Sequence, residues 1–177
     1  MNIVRRALAV GVAMMMTTFA FGQVEKKKSD AEASFDKMKA LEGNWDGKVT
    51  VAEHPDMNNW AIHVSLRVTS MGNALVHEMH GEGRADHPVT MVYLDGGQLT
   101  LTHYCDAGNR PRMTGKLLAD GKTVEFGFLD VTGPMTYGHM HNAVFTTVDA
   151  NHHTEDWTFM EPGDKMAHAH MELTRAK

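Results

Sequence analysis

The 177-residue chain has a single cysteine, Cys105, so it cannot form an internal disulfide. It also lacks a run of roughly 18 or more apolar residues, the length that a transmembrane helix needs. Its 17 basic and 22 acidic residues are interspersed and form no basic stripe. These absences argue against a membrane-spanning helix and against nucleic acid as a partner. Stability therefore has to come from a hydrophobic core, for which 42% hydrophobic residues is an ordinary supply.

Familiar catalytic motifs are also missing. Gly81-Glu82-Gly83 lacks the third glycine and the following helix of a phosphate-binding loop, and no Gly-x-Ser-x-Gly turn occurs. His77-Glu78-Met79-His80 is similar to a shortened zinc-protease motif, but on a strand its two histidines point to opposite faces. The sequence leaves enzymatic activity undecided and favours a non-catalytic role.

The N-terminus predicts export. A basic start is followed by an apolar stretch over residues 7–20, and the small residues Ala20 and Gly22 stand where signal peptidase reads. We therefore predict that residues 1–22 are a signal peptide and that the mature chain is periplasmic or extracellular, without an integral membrane segment. An uncleaved anchor is the alternative.

A short N-terminal segment, residues 23–43, precedes the main domain and carries one predicted helix over 29–42. Ser29 or Asp30 can cap its start, and Gly43 can end it. The helix is expected to close one end of the structure that follows.

From Asn44 onward the apolar period changes from about 3.6 to 2, which is typical of β-strands. Strands are expected at 45–51, 60–69, 74–80, 88–95, 98–105, 111–119, 123–130, 138–148, 153–161 and 166–174. Turn residues such as Asp95-Gly96-Gly97 and Asp120-Gly121 separate them. The regular spacing predicts an all-β fold over residues 44–177, an up-and-down antiparallel barrel of about eight to ten strands.

Closure would leave two ends and an interior. The longer connections Gly81–His87 and Val131–Tyr137 are expected to be loops at the barrel mouth. A barrel of this size has room for packed side chains or for one small ligand. A two-sheet sandwich is the alternative architecture.

The tripeptide Gly43-Asn44-Trp45, placed between a helix and the first strand, resembles the opening signature of lipocalins and related calycins, in which the tryptophan packs across the barrel base. Further stretches resemble a group of uncharacterised exported bacterial proteins with a lipocalin-like, nitrobindin-like barrel. These stretches are residues 35–45, 99–113, 138–141 and 155–159. The resemblance implies the fold and assigns no activity.

The leading functional hypothesis is binding of a small apolar or amphiphilic ligand inside the barrel, because a closed sheet of this size can hold one such ligand. Eleven of the 15 methionines fall in the predicted mature chain and suit an irregular apolar cavity. Arg112 could receive a carboxylate, since its planar fork matches that group. The candidate ligand-binding residues are Trp45, Tyr104, Arg112 and Trp157.

A metal- or haem-binding protein is the alternative. His139 and His141 share one face of a predicted strand, as do His103 and Cys105, and together they would form a nitrogen–sulfur set suited to zinc or copper. The resemblance to nitrobindin-like barrels adds haem held by a single histidine as a further possibility. Redox or hydrolytic chemistry, including an enzyme with a His103–Cys105 pair, also stays open.

Other histidines are expected to be solvated. His168 and His170 alternate with Ala167, Ala169 and Met171, which places them on the outer face of their strand. His152-His153 lies at a predicted turn and is expected to face water.

Overall fold

The computed structural model describes residues 27–177, so the predicted signal peptide lies outside the described residues. They form one α-helix, two short 3₁₀ turns and ten strands. The elements are α1 (Asp30–Lys39), β1 (Gly43–Val51), β2 (Trp60–Thr69), β3 (Ala74–Gly81), β4 (Val89–Asp95), β5 (Gln98–Tyr104), β6 (Arg110–Leu117), β7 (Thr123–Thr132), β8 (His139–Thr147), β9 (His152–Glu161) and β10 (Lys165–Arg175).

The ten strands form a closed antiparallel barrel in which each strand pairs with its neighbours in sequence. Pairing of β1 with β10, from Trp45 opposite Arg175 to Val51 opposite Ala169, closes the sheet and removes its edges. The predicted all-β up-and-down barrel is therefore confirmed, and the sandwich alternative is wrong. Within residues 27–177, no helix combines the length and the apolar character that crossing a membrane requires.

Helix α1 closes one end of the barrel, which we call the closed end. Ser29 and Glu32 form a reciprocal capping box that fixes its start. The helix packs against β2, β4, β5, β6 and β7 and buries Phe35 and Met38. It ends three residues earlier than predicted, because the chain turns through Leu41 and enters β1 at Gly43.

Trp45 lies under the helix and is fully buried. Its indole Nε1 donates a hydrogen bond to the carbonyl oxygen of Leu41 at 2.9 Å, and the Arg175 guanidinium lies 4.1 Å from its ring. The helix, the first strand and the C-terminal strand are thus joined through one side chain.

At the opposite end, which we call the open end, lie the connections 52–59, 82–88, 105–109 and 133–138. This agrees with the two mouth loops predicted from sequence. Between the two ends the interior is packed, and its fully buried side chains include Val64, Leu66, Leu75, Val92, Leu101, Met113, Phe126, Phe145 and Trp157.

Two seams of the barrel are short. The β5–β6 and β7–β8 ladders each contain four residue pairs, whereas β9–β10 contains ten. For β7–β8 the pairs run from Thr123–Thr146 to Phe126–Ala143, so in the described structure the rest of β7 is paired only with β6. A β-bulge at Met140/Asn142 follows in β8.

Candidate functional site

The four residues predicted to bind a ligand are divided between the core and the surface. Trp45 and Trp157 are fully buried packing residues, whereas Tyr104 is 43% exposed at the end of β5. Arg112 is occupied by Asp130, to which its Nε donates at 2.8 Å, and this pairing raises the pKa of the guanidinium further. The carboxylate-accepting fork of Arg112 is therefore already filled by a side chain of the protein.

The predicted metal set does not assemble as a group of four. His103 is completely buried, and its Nδ1 forms a hydrogen bond of 2.8 Å with the hydroxyl of Thr90. His139 and His141 instead contact each other. Across residues 27–177, no three His, Cys, Asp or Glu side chains are grouped so that they could hold a metal ion together.

The His103–Cys105 pair does not have the electrostatics of a reactive thiol. Burial raises the pKa of the Cys105 thiol, and the neighbouring Asp106 and Asp86 raise it further. Burial also lowers the pKa of His103 to about 3, with a contribution from His77. Since a nucleophilic cysteine needs a lowered pKa, this arrangement disfavours the enzyme hypothesis.

A buried carboxylate that the sequence analysis missed lies in the middle of the barrel. Glu155 accepts hydrogen bonds from His77 Nε2 at 3.0 Å and 3.1 Å, from His153 Nε2 at 3.0 Å and from Trp157 Nε1 at 2.9 Å. We call Glu155, His77, His153 and Trp157 the buried polar cluster. Neither Glu155 nor the side chains of the two histidines reach solvent.

The charge on Glu155 is supported by its partners. Burial alone would raise the pKa of this carboxyl, but His77 and His153 outweigh it and hold the pKa well below the usual range. A buried carboxylate with three donors has its main hydrogen-bonding needs met. On their other sides the rings find no hydrogen-bond partner among residues 27–177, since His77 Nδ1 and His153 Nδ1 are buried without one, as is His103 Nε2.

The expectation that His153 is solvated was wrong. The β9 strand begins at His152, earlier than predicted, so His153 shares the inward face with Glu155 and Trp157. The inward direction of Trp157 was the available signal, because residues two and four positions earlier on a strand point the same way. His168 and His170, by contrast, face outward as predicted and pair with Glu53 and Asp156.

A cavity of about 180 Å³ lies at the open end, one layer above the buried polar cluster. Met79 lines it and follows the cluster's His77 by two residues, the next inward position along β3. Met171 also lines it and pairs with Glu155 in the β9–β10 ladder. Most of the lining is apolar, and the connections 52–59 and 82–88 cover it. The lining side chains include Val49, Val51, Met57, Trp60, Ile62, Met79, Ala169 and Met171.

Polar groups occupy only the rim of this cavity. Arg84 and Asp86 line it from the β3–β4 connection, and the Arg84 guanidinium lies 5.3 Å from the centre of the Trp60 ring. Arg84 is exposed, so its charge remains in water while its stem covers the indole. The open end thus presents an apolar chamber with charges at its entrance.

A larger groove of about 920 Å³ lies outside the barrel, between α1 and the outer sides of β5, β6 and β7. Its lining includes small and charged residues such as Ala31, Gly127, Lys116 and Glu125. Ligand sites usually bury most of their ligand among apolar side chains. The groove is exposed and polar by comparison, so the open-end cavity is the better candidate despite its smaller volume.

The interior does not fit a haem. Pockets for drug-sized molecules begin at roughly 300 Å³, which is already larger than the open-end cavity. The interior histidines His77, His103 and His153 are fully buried in packed core, so they present no ring nitrogen to a macrocycle. We therefore derive no function through haem.

A second group of rings lies where β7 and β8 separate. His139 Nε2 and His141 Nδ1 are 3.4 Å apart, and Phe128 contacts both rings, stacking on that of His141. His139 is buried, and its Nδ1 has no hydrogen-bond partner in the stretch 27–177. Burial, followed by the proximity of His141, lowers the pKa of His139.

Comparisons with known proteins support the architecture. No protein-family model and no curated protein sequence matches the chain. The crystal structure of Rv2717c from M. tuberculosis is similar, with a TM-score of 0.62 and 12% identity over 81% of this chain and 98% of that one. A protein of unknown function from the DUF3598 family of Nostoc punctiforme PCC 73102 is also similar, with a TM-score of 0.53 and 9% identity.

This second match covers 78% of the present chain and 49% of the Nostoc protein, so the chain spans about half the length of that protein. At such low identity the likeness concerns the fold alone. The comparisons and the strand pairing together identify the chain as a closed ten-stranded antiparallel β-barrel with structural neighbours in M. tuberculosis and Nostoc punctiforme.

Proposed function

We propose that the barrel is a non-catalytic binding protein for one small apolar or amphiphilic molecule, held in the open-end cavity. The observation that carries this proposal is an apolar chamber at the one barrel end that α1 leaves uncovered. The rest of the interior is filled by side chains, so a ligand inside the barrel has this place to occupy.

The volume of the chamber limits the ligand. A dry apolar cavity of about 150 Å³ is enough to hold benzene, and the present cavity of about 180 Å³ is slightly larger. The apolar part of the ligand should therefore have the size of one small ring or a short alkyl chain. Met57 and Met79 can adapt to its shape, because thioether side chains are flexible and polarisable.

The rim would hold the polar end of an amphiphile. Arg84 can pair with an anionic head group and Asp86 with a cationic one, and both stand at the entrance. The ligand would enter with its apolar body first and leave its head in water. The lipocalin-like character suggested by the sequence is consistent with this mode of binding and belongs to the proposal.

We also propose that residues 1–22 are removed on export and that the barrel acts in the periplasm or outside the cell. The basic and apolar pattern of this segment supports the proposal. N-terminal sequencing of the protein from its host should begin at Gln23. A full-length chain found only in the cytosol would contradict it.

Binding can be tested with benzene and benzoate as probes, followed through the methyl NMR signals of the methionines. Signals of the cavity residues Met57, Met79 and Met171 should shift on titration. Met38, on the buried face of α1 at the closed end, is the internal control, and its signal should not shift. Absence of any cavity shift at millimolar probe would refute the proposal.

A filled cavity provides the matched variant. Ala169→Leu adds three carbon atoms at a partly buried cavity wall and should weaken probe binding at least tenfold while the barrel stays folded. Leu94→Ala, at the closed end, changes a partly exposed apolar side chain and should leave binding unchanged. Equal affinity of the Ala169→Leu variant and the unchanged protein would place the probe elsewhere.

A further inference from the structure

We infer that His139, His141 and Met160 form a binding site for copper(I) on the barrel wall at the open end. This site is separate from the ligand cavity, which is lined from β1, β2, β3 and β10. It lies on β8 and β9, beside the seam where β7 and β8 stop pairing.

The separation of the two imidazole nitrogens suits a shared metal. His139 Nε2 and His141 Nδ1 are 3.4 Å apart. Two metal–nitrogen bonds of ~2.0–2.1 Å at an angle between tetrahedral and trigonal place their nitrogens about 3.3–3.6 Å apart. The rings need only turn each lone pair about 35° from the line between the nitrogens to direct both at one ion.

The burial of His139 is otherwise poorly explained. Within the described part of the chain, its Nε2 has only an imidazole nitrogen as hydrogen-bond partner, and its Nδ1 has none. Buried polar groups normally have hydrogen-bond partners, so an imidazole placed in this way is costly unless something else uses it. A metal ion bound by His139 and His141 would replace one weak contact between two rings with two strong bonds.

Met160 supplies a third donor. It lies directly opposite His139 in the β8–β9 ladder, and Met166 lies opposite Met160 in the next ladder. Directly opposed residues of an antiparallel pair have Cβ atoms about 4.5–5.5 Å apart on the same face. Met140, the next residue of β8, lies on the other face of the sheet and packs against the core. A thioether side chain is therefore placed on the same face as the His139 imidazole, next to it in the adjacent strand.

The surrounding chain fixes the approach of His139 to Met160. The amide of Asn109 donates to the carbonyl oxygens of Gly138, at 2.6 Å, and of Pro134, at 2.9 Å. A Cβ at position 138 would lie 2.1 Å from the carbonyl oxygen of Met160, so glycine allows the two strands to meet closely here. The donors are thus held by backbone contacts rather than by a mobile loop.

The donor types select copper(I). Soft thioethers favour Cu(I), whereas zinc sites are completed by further histidine, cysteine or carboxylate ligands. In the described part of the chain, no third His, Cys, Asp or Glu joins the two histidines in a metal-binding group. Two imidazoles and one thioether therefore offer copper(I) a three-coordinate site and offer zinc an incomplete one.

The test uses residues 23–177, which contain the whole described barrel, titrated anaerobically with Cu(I) in competition with a colorimetric Cu(I) chelator. One equivalent of copper should be withdrawn from the chelator. Copper X-ray absorption should show nitrogen and sulfur scatterers together. Met160→Leu, which preserves size and hydrophobicity, should weaken Cu(I) binding at least tenfold and remove the sulfur signal.

The chain offers a matched control for the histidines. His139→Ala combined with His141→Ala should abolish binding, whereas His168→Ala combined with His170→Ala should leave it unchanged. The second pair has the same His-x-His spacing, but each ring is exposed and held by a carboxylate. Near-UV circular dichroism checks that each variant is folded, and His141→Ala alone, at a half-buried position, serves if the double variant is not.

Five results would overturn the inference. Three concern copper(I) binding itself: the protein withdraws no copper from the chelator, the His139/His141 variants still bind copper, or the His168/His170 control loses it. The fourth is tighter binding of zinc than of copper(I). The fifth is an unchanged affinity of Met160→Leu, which would exclude the thioether as a ligand and leave no reason for a preference for copper(I).

Discussion

The buried imidazole of His103 should make the stability of the barrel fall with pH well before its carboxylates titrate. Burial, with a contribution from His77, lowers the pKa of His103 from 6.5 to about 3. In the unfolded chain this group regains its ordinary pKa. Between pH 6.5 and pH 3 the unfolded state therefore binds a proton that the native state does not, and stability decreases as pH falls through this window.

The size of the effect follows from the two pKa values. At pH 8 both states are neutral at residue 103, and the contribution is close to zero. At pH 5 the unfolded state is largely protonated at this site, which costs the native state about 2 kcal/mol relative to pH 8. This is a substantial part of the 5–15 kcal/mol that stabilises a typical domain.

Urea unfolding at pH 8, 7, 6 and 5, followed by tryptophan fluorescence, measures the free energy of unfolding directly. In His103→Gln, the decrease in the free energy of unfolding between pH 8 and pH 5 should be about 2 kcal/mol smaller than in the unchanged protein, whatever the absolute stability of the variant. Thr90→Val removes the hydrogen bond to the ring but keeps the ring buried, so it should retain the full pH dependence. Equal slopes for the unchanged protein and His103→Gln, or an NMR titration of His103 near pH 6.5, would refute the reasoning.

Two further predictions concern local structure. Glu155→Gln should lower the free energy of unfolding in urea by about 2–4 kcal/mol, because an amide cannot accept hydrogen bonds from three buried donors. Asp156→Asn, on the solvent side of the same strand, is the control and should lower it by less than about 1 kcal/mol. A Glu155→Gln variant as stable as Asp156→Asn would show that the cluster is not held by the carboxylate. Gly138→Ala should cost about 2–4 kcal/mol, since residue 138 has φ +87° and no space for a Cβ. Gly127→Ala, with open space and no positive φ, should be nearly neutral, and similar thermal unfolding of the two glycine variants would contradict the backbone argument.

The strands could be predicted because alternation survives in a barrel with one dry face. Ile62, Val64 and Leu66 are buried, with exposed or half-buried residues between them, as the sequence pattern requires. The helix start was equally readable, since the capping residues Ser29 and Glu32 act within one turn of chain. These signals are local, so the sequence alone contains them.

The buried polar cluster was not predicted because its members come from distant parts of the chain. His77 and Glu155 are 78 positions apart and meet across the barrel interior. The turn prediction at His152-His153 hid the inward face of β9, although Trp157 indicated it. Polar residues on an inward face weaken the apolar signal of a strand, so His153 and Glu155 do not stand out as inward-facing positions of β9.

The position of the cavity could not be read from alternation either. Val49 and Met171 point inward like the residues of the packed middle, and nothing local marks them as cavity walls. The cavity exists because Met57 and Arg84, on two connecting segments, approach over the open end. Connections of this kind have no periodicity, so their path is fixed only by the folded barrel.

The early end of the β7–β8 ladder has a mechanical consequence. A barrel resists changes in diameter because each strand is hydrogen-bonded to a neighbour on both sides. The last six residues of β7, however, lie beyond its ladder with β8 and face a paired strand only on the β6 side. Along that stretch, the stacked rings of Phe128 and His141 connect β7 to β8 in place of main-chain hydrogen bonds. The rim can widen there when two side chains separate, so this part of the wall should deform more easily than the ten-pair β9–β10 seam.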